Sequence, residues 1–104
     1  MITIIETTSD DKQELIKAAT DLVNRNLAAC CQITGPFTSV NHWSGKMQHT
    51  QEYRIAIKTI ADHLEVIKKY LSDNHSYDLP EITWGEHQTT PEYQNWVEEE
   101  TRSN

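Results

Sequence analysis

Ile2, Ile4 and Ile5, with Thr3 among them, form a short β-branched run that is apolar on both faces, as expected of a strand paired centrally and covered on at least one side. The run ends in Thr7-Thr8-Ser9-Asp10-Asp11, a cluster of N-capping residues in which Asp10 and Gln13 stand at capping-box spacing. A helix is therefore predicted from near Asp11 to about Asn26. Leu15, Ala18, Ala19, Leu22 and Val23 fall on one stripe of it, with Lys12, Gln13, Lys17, Asp21, Asn24 and Arg25 on the other side.

From Leu27 to Val40 the chain reads as a long strand, interrupted at Gly35-Pro36, where proline removes a ladder donor and glycine permits a bulge. Trp43-Ser44-Gly45-Lys46 is a turn with glycine suited to positive φ, and Tyr53, Ile55 and Ile57 then alternate with Arg54, Ala56 and Lys58 in a third strand. Thr59 is placed to cap a second helix. In it Ile60, Leu64, Ile67 and Leu71 recur at helical spacing, Glu65 and Lys69 form an i,i+4 pair, and the helix stops before Asn74.

Glu81-Ile82-Thr83-Trp84 is a fourth strand, with Ile82 and Trp84 on one face. Thr90-Pro91 then caps a short last helix whose apolar stripe is Tyr93, Trp96 and Val97. The order β-α-β-β-α-β predicts an α+β fold in one domain spanning residues 1–104: an antiparallel four-stranded sheet with both main helices on one face. Ile5, Ile55, Ile57 and Trp84 are expected to make the other face apolar, so that another subunit covers it.

Charge and composition narrow the functional classes. Sixteen acidic residues against nine basic ones give a net charge of −7, which repels nucleic-acid phosphates and anionic membrane surfaces and favours cations. The third strand also lacks the stacking aromatics of an RNA-binding sheet. The first residues reach Glu6 without a basic segment or a cleavage site, and the only cysteines, Cys30 and Cys31, are adjacent. No signal segment, no membrane span and a cytoplasmic location are expected.

Four stretches carry a resemblance: Leu27-Ala28-Ala29-Cys30, Ser39-Val40-Asn41-His42-Trp43-Ser44-Gly45-Lys46, His75-Ser76-Tyr77-Asp78-Leu79-Pro80-Glu81-Ile82, and Pro91-Glu92-Tyr93-Gln94-Asn95-Trp96. Together they resemble the CutA divalent-cation tolerance family. The resemblance implies a ferredoxin-like fold, a homotrimer similar to PII proteins, and binding of copper(II) or another divalent cation. The family's proposed copper ligands fall on Glu6, Asn74 and His75 here, so that His75, with Glu6 as an oxygen donor, is the metal site the resemblance suggests. Asn41, Ser76 and Gly85-Glu86 depart from the family's usual pattern.

Two readings of the chemistry follow. In the first, His75 and Glu6 hold copper(II), with Glu81 as a further helper; the chain has no HxxxH, HExxH or CxxC spacing for a zinc cage within one subunit. In the second, a small molecule or partner protein occupies clefts between subunits near Lys58, Tyr77, Glu81 and Trp43. His75 is also readable as an ordinary surface histidine, Lys58 as a solvated one, and the cysteines, on opposite strand faces, as packing residues. The only local acid-base candidates are His75 with Asp78 or Glu81, and no catalytic motif accompanies them, so an enzyme is not expected.

Overall fold

The computed structural model describes residues 1–102 and runs β1 (Ile2–Ser9), α1 (Lys12–Asn24), β2 (Cys30–Trp43), β3 (Lys46–Thr59), a 3-10 turn (Ala61–His63), α2 (Leu64–Asn74), β4 (Ile82–His87) and α3 (Pro91–Glu100). All strand pairs are antiparallel, in the order β2-β3-β1-β4, which is the ferredoxin-like arrangement. One face of the sheet carries Ile5, Ile55 and Ile57. These pack with Leu15 and Leu22 of α1 and Ile67 and Leu71 of α2 into the main core. Each such side chain withdrawn from water stabilises the fold by about 1.5–3 kcal/mol.

Local sequence chemistry sets the element ends. Asp11, not Asp10, is the N-cap of α1: its carboxylate accepts from the backbone N–H of Gln13 at 3.0 Å and of Glu14 at 3.4 Å, and Ser9 Oγ accepts from Asp11 N–H. At the other end Asn26 takes a φ of 57°, and the N–H groups of Asn26 and Leu27 reach back to the carbonyls of Val23 and Leu22. That pattern satisfies the helix's last carbonyls and turns the chain into the Leu27-Ala28 segment two residues sooner than the apolar stripe implied. Val23 is accordingly at the margin, 39% exposed.

Ser44 and Gly45, with φ of 53° and 77°, close a two-residue hairpin between β2 and β3, so both strands reach well beyond the ends expected at Val40 and Tyr53. The expected irregularity at Gly35-Pro36 is a register shift between Thr34 and Phe37. Thr59 does not cap α2. It ends β3, and its hydroxyl donates to the Leu27 carbonyl at 2.6 Å. Glu65 pairs with Lys68 rather than Lys69, which turns to Asp73. α3 begins as expected, with Pro91 in its first turn and Thr90 Oγ1 accepting from Tyr93 N–H.

The expectation of an apolar second sheet face is corrected. Strand alternation puts Ile5, Ile55, Ile57 and Trp84 on the helix-covered face, where Lys68 Nζ of α2 lies 4.2 Å from the Trp84 ring centre. The opposite face presents Glu6, Thr8, Arg54, Ala56, Lys58 and Thr83, with Ile2 and Ile4 at the near end of β1. Exposed apolar side chains stand on the hairpin, at Val40, Trp43 and Met47, and also at Leu79, Trp84 and Trp96.

Candidate ligand-binding cleft

His75 begins where α2 ends. Its side chain is only 2% exposed. Nδ1 accepts from the Tyr77 N–H at 3.0 Å, so the proton sits on Nε2, which donates to the Thr8 carbonyl at 2.7 Å. Both ring nitrogens are engaged, and the neutral ring offers no free lone pair to a metal. The nearest carboxylate is Glu14, whose Oε2 lies 3.7 Å from Nδ1 and whose Oε1 accepts from Ser76 N–H.

Glu6 is elsewhere. It lies on the other sheet face, 3.9 Å from the Arg54 guanidinium, which pairs with Glu81 at 3.0 Å. His75 and Glu6 therefore do not form a common donor set. Among the described residues no three His, Cys, Asp or Glu side chains come together to hold a metal ion. The residues as folded do not fit a preformed copper(II) centre, for which several donors with free lone pairs are needed.

His75 instead anchors the segment that carries Tyr77. The Tyr77 hydroxyl donates to Glu52 Oε2 at 2.8 Å, and Ser39 of β2 donates to Glu52 Oε1. Burial, then the hydrogen bond to Glu52 and the charge of that carboxylate, push the Tyr77 hydroxyl above its ordinary range, so it stays a donor. Beside this pair opens a cleft of about 490 Å³ between the hairpin and the 77–81 segment. Trp43, Glu52, Tyr77 and Glu81 line it, together with Asp10 and Asp78.

Three of the four expected cleft residues, Trp43, Tyr77 and Glu81, thus meet in one place. Lys58 does not join them. Six residues along β3 from Glu52, or roughly 20 Å, it lies with its ammonium 5.7 Å from the Tyr93 ring centre of α3. The cation near Glu81 is Arg54, which also stacks on Phe37 with its Cζ 5.6 Å from the ring centre. Glu52, read from the sequence as a carboxylate available to Lys58, is the cleft's buried carboxylate and is held instead by Tyr77 and Ser39, which lie too far along the chain to read.

The cysteines divide as strand alternation requires. Cys31 packs on the core, where burial pushes its thiol up to about 12, and Cys30 points to the opposite face. A thiol so raised is not a nucleophile at neutral pH.

A ferredoxin-like sheet with an acidic, aromatic-edged cleft beside a projecting hairpin defines a small domain of the α+β class. Comparison with known proteins then places it. The family model described as CutA1 divalent ion tolerance protein matches residues 3–100, and the chain belongs to that family. A probable divalent-cation tolerance protein cutA homolog of Encephalitozoon cuniculi is 31% identical over 94 residues, 89% of this chain and 82% of that protein. A chloroplastic CutA protein of Arabidopsis thaliana is 32% identical over 105 residues, but this chain spans only 56% of its length. The crystal structure of CutA from Xylella fastidiosa superposes with a TM-score of 0.91 at 31% identity, covering 97% of this chain and 98% of that one. Among the described residues no helix is long and apolar enough to cross a membrane.

Proposed function

We propose that the chain serves divalent-cation tolerance as a binding module and not as an enzyme: a cytoplasmic homotrimer of the PII-like kind whose cleft takes a positively charged ligand. The observation that carries this reading is Glu52. The residue is 8% exposed and its carboxylate is held only by the uncharged donors Tyr77 and Ser39, with no ion pair among the described residues. The other charged residues lining the cleft, Asp10, Asp78 and Glu81, are acidic too, with Glu81 alone of them paired, to Arg54 at 3.0 Å. Such a lining attracts a cation and repels a nucleotide phosphate. The trimer is supported by Val40, Trp43 and Met47, which are 58%, 50% and 58% exposed on a hairpin that projects from the sheet, a surface suited to a neighbouring copy.

Copper(II) at His75 is the second reading, supported by Glu14 Oε2 at 3.7 Å from Nδ1. It requires Tyr77 N–H to leave that nitrogen. One titration separates the two: calorimetry with copper(II) against a weak chelator on wild type, Glu52→Gln and His75→Ala, with light scattering to test for three times the 12.0 kDa chain mass. Saturable binding weakened by Glu52→Gln supports the cleft. Binding lost only in a folded His75→Ala variant moves the ion to His75 and Glu14, and no competition with the chelator in any protein overturns copper as the ligand.

A further inference from the structure

The β2–β3 hairpin has two faces of different character. Its register pairs His42 with Met47 and Val40 with His49 on either side of the Ser44-Gly45 turn. Strand alternation then sorts the side chains. Ser39, Asn41 and Trp43 of β2, with Gln48, Thr50 and Glu52 of β3, line the acidic cleft. The residues between them, Val40, His42, Met47 and His49, stand on the reverse face, which continues the side of β3 that carries Tyr53 and Ile55. All four are exposed to solvent.

Two imidazoles and a thioether therefore share one face of a two-stranded ribbon. His42 and Met47 are directly opposite, with Cβ atoms about 4.5–5.5 Å apart, and His49 is the diagonal neighbour of His42 at roughly 7–8 Å, a span that side chains of this length cross. Met47 and His49 are two apart on β3 and lean the same way. His63 and His75 spend Nε2 on backbone carbonyls, whereas His42 and His49 enter no hydrogen bond or ion pair among the described residues. Their ring nitrogens and the Met47 sulfur are open to a ligand. The face carries no carboxylate, and its next pair inward is Thr38 with Gln51.

We propose that His42, Met47 and His49 form a surface site for a soft transition-metal ion, copper(I), bound by two imidazole nitrogens and one thioether sulfur. A thioether selects a soft ion, imidazole is compatible with it, and the oxygen donors that magnesium and calcium require are missing from this face. The donors sit on paired strands, so the ribbon fixes their relative positions before the ion arrives. The site is separate from the acidic cleft, which opens on the other face of the hairpin, and from His75. It meets the proposed trimer surface at Val40 and Met47, so a neighbouring copy that closed this face would close the site with it.

The test is an anaerobic titration of the oligomer with copper(I) against a competing copper(I) chelator, in a Cys30→Ser background that removes the half-buried thiol on the opposite strand face. Methyl NMR of labelled methionine reads one donor directly: the chain has two methionines, and Met1 is the internal control for Met47. Saturation at one ion per chain, with shifts of the Met47 methyl and of the His42 and His49 ring protons, supports the site. His42→Ala, His49→Ala and Met47→Leu, all at exposed positions outside the core, are each expected to lower the affinity about tenfold or more, since even residues that only support a metal ligand cost that much. No competition with the chelator, unmoved Met47 or ring resonances, unchanged affinity in any of the three variants, or an equal response to magnesium chloride each overturns the proposal.

Discussion

His75 Nε2 meets the carbonyl of Thr8 at 2.7 Å across a sequence separation of 67 residues, tying the end of α2 to the end of β1. With Nδ1 taken by Tyr77 N–H, the ring acts as a rivet for the segment entering β4. His75→Ala leaves a buried carbonyl and an amide without their partners, and is expected to destabilise the protein by about 2–3 kcal/mol. Urea unfolding checks this; a loss below about 0.5 kcal/mol would show that the ring is dispensable to the fold.

Glu52 and Tyr77 are expected to behave as one unit. Removing the hydroxyl in Tyr77→Phe strips a donor from a buried carboxylate, which costs roughly 1–3 kcal/mol, whereas adding Tyr77→Phe to Glu52→Gln costs less because the charge is already gone. A double-mutant cycle by chemical denaturation measures the coupling. Additive effects would mean that the 2.8 Å contact carries no net stabilisation.

Gly35 holds a φ of +129°, and a Cβ there would stand 2.8 Å from the Glu52 carbonyl oxygen and 2.9 Å from Tyr53 Cδ2. The close approach of β2 to β3 at the register shift leaves no room for a side chain. Gly35→Ala is expected to destabilise by about 1–3 kcal/mol, through both strain and displacement of the Glu52 backbone. Equilibrium unfolding reads the loss, and a shift in the Tyr77 ring resonances by NMR reads the displacement.

Alkaline pH should weaken the fold. Burial, followed by the hydrogen bond to Asp21, pushes the Tyr70 hydroxyl from 10.0 to about 12, and burial does the same to the Cys31 thiol from 9.0. Both folded values lie above the unfolded ones, so the stabilisation is complete below about pH 9 and is lost as pH rises toward 12. At the acid end Asp21, held low first by Lys17 and then by Tyr70, contributes above its ordinary 3.8 and loses that contribution as pH falls through its lowered value. Denaturation midpoints across pH 8–12, compared with Tyr70→Phe and Cys31→Val, test the alkaline arm; equal slopes in all three proteins would refute it.

The sequence by itself determined the elements and their order. Asn26 at a helix end, Ser44-Gly45 at a turn and Thr90-Pro91 at a helix start act through neighbours a few residues away, and such signals are local. It also showed that Ile55 and Ile57 share a strand face with Tyr53, because alternation has period two. Alternation does not say which face the helices cover, and the expectation of an apolar outer face failed on that point. Lys58 was assigned to the cleft on charge alone, while register and the length of β3 place it beside Tyr93.

The site was legible in part. Tyr77, Glu81 and Trp43 lie in stretches that carried the family resemblance, but the role of each depended on a distant partner. Only the tertiary structure brought Glu52 under Tyr77, set Arg54 against Glu81, and spent both nitrogens of His75 on backbone groups. The physical reason is that a side chain's chemistry follows from whether its donors and lone pairs are already satisfied, and for a buried group that is settled by residues remote in the chain.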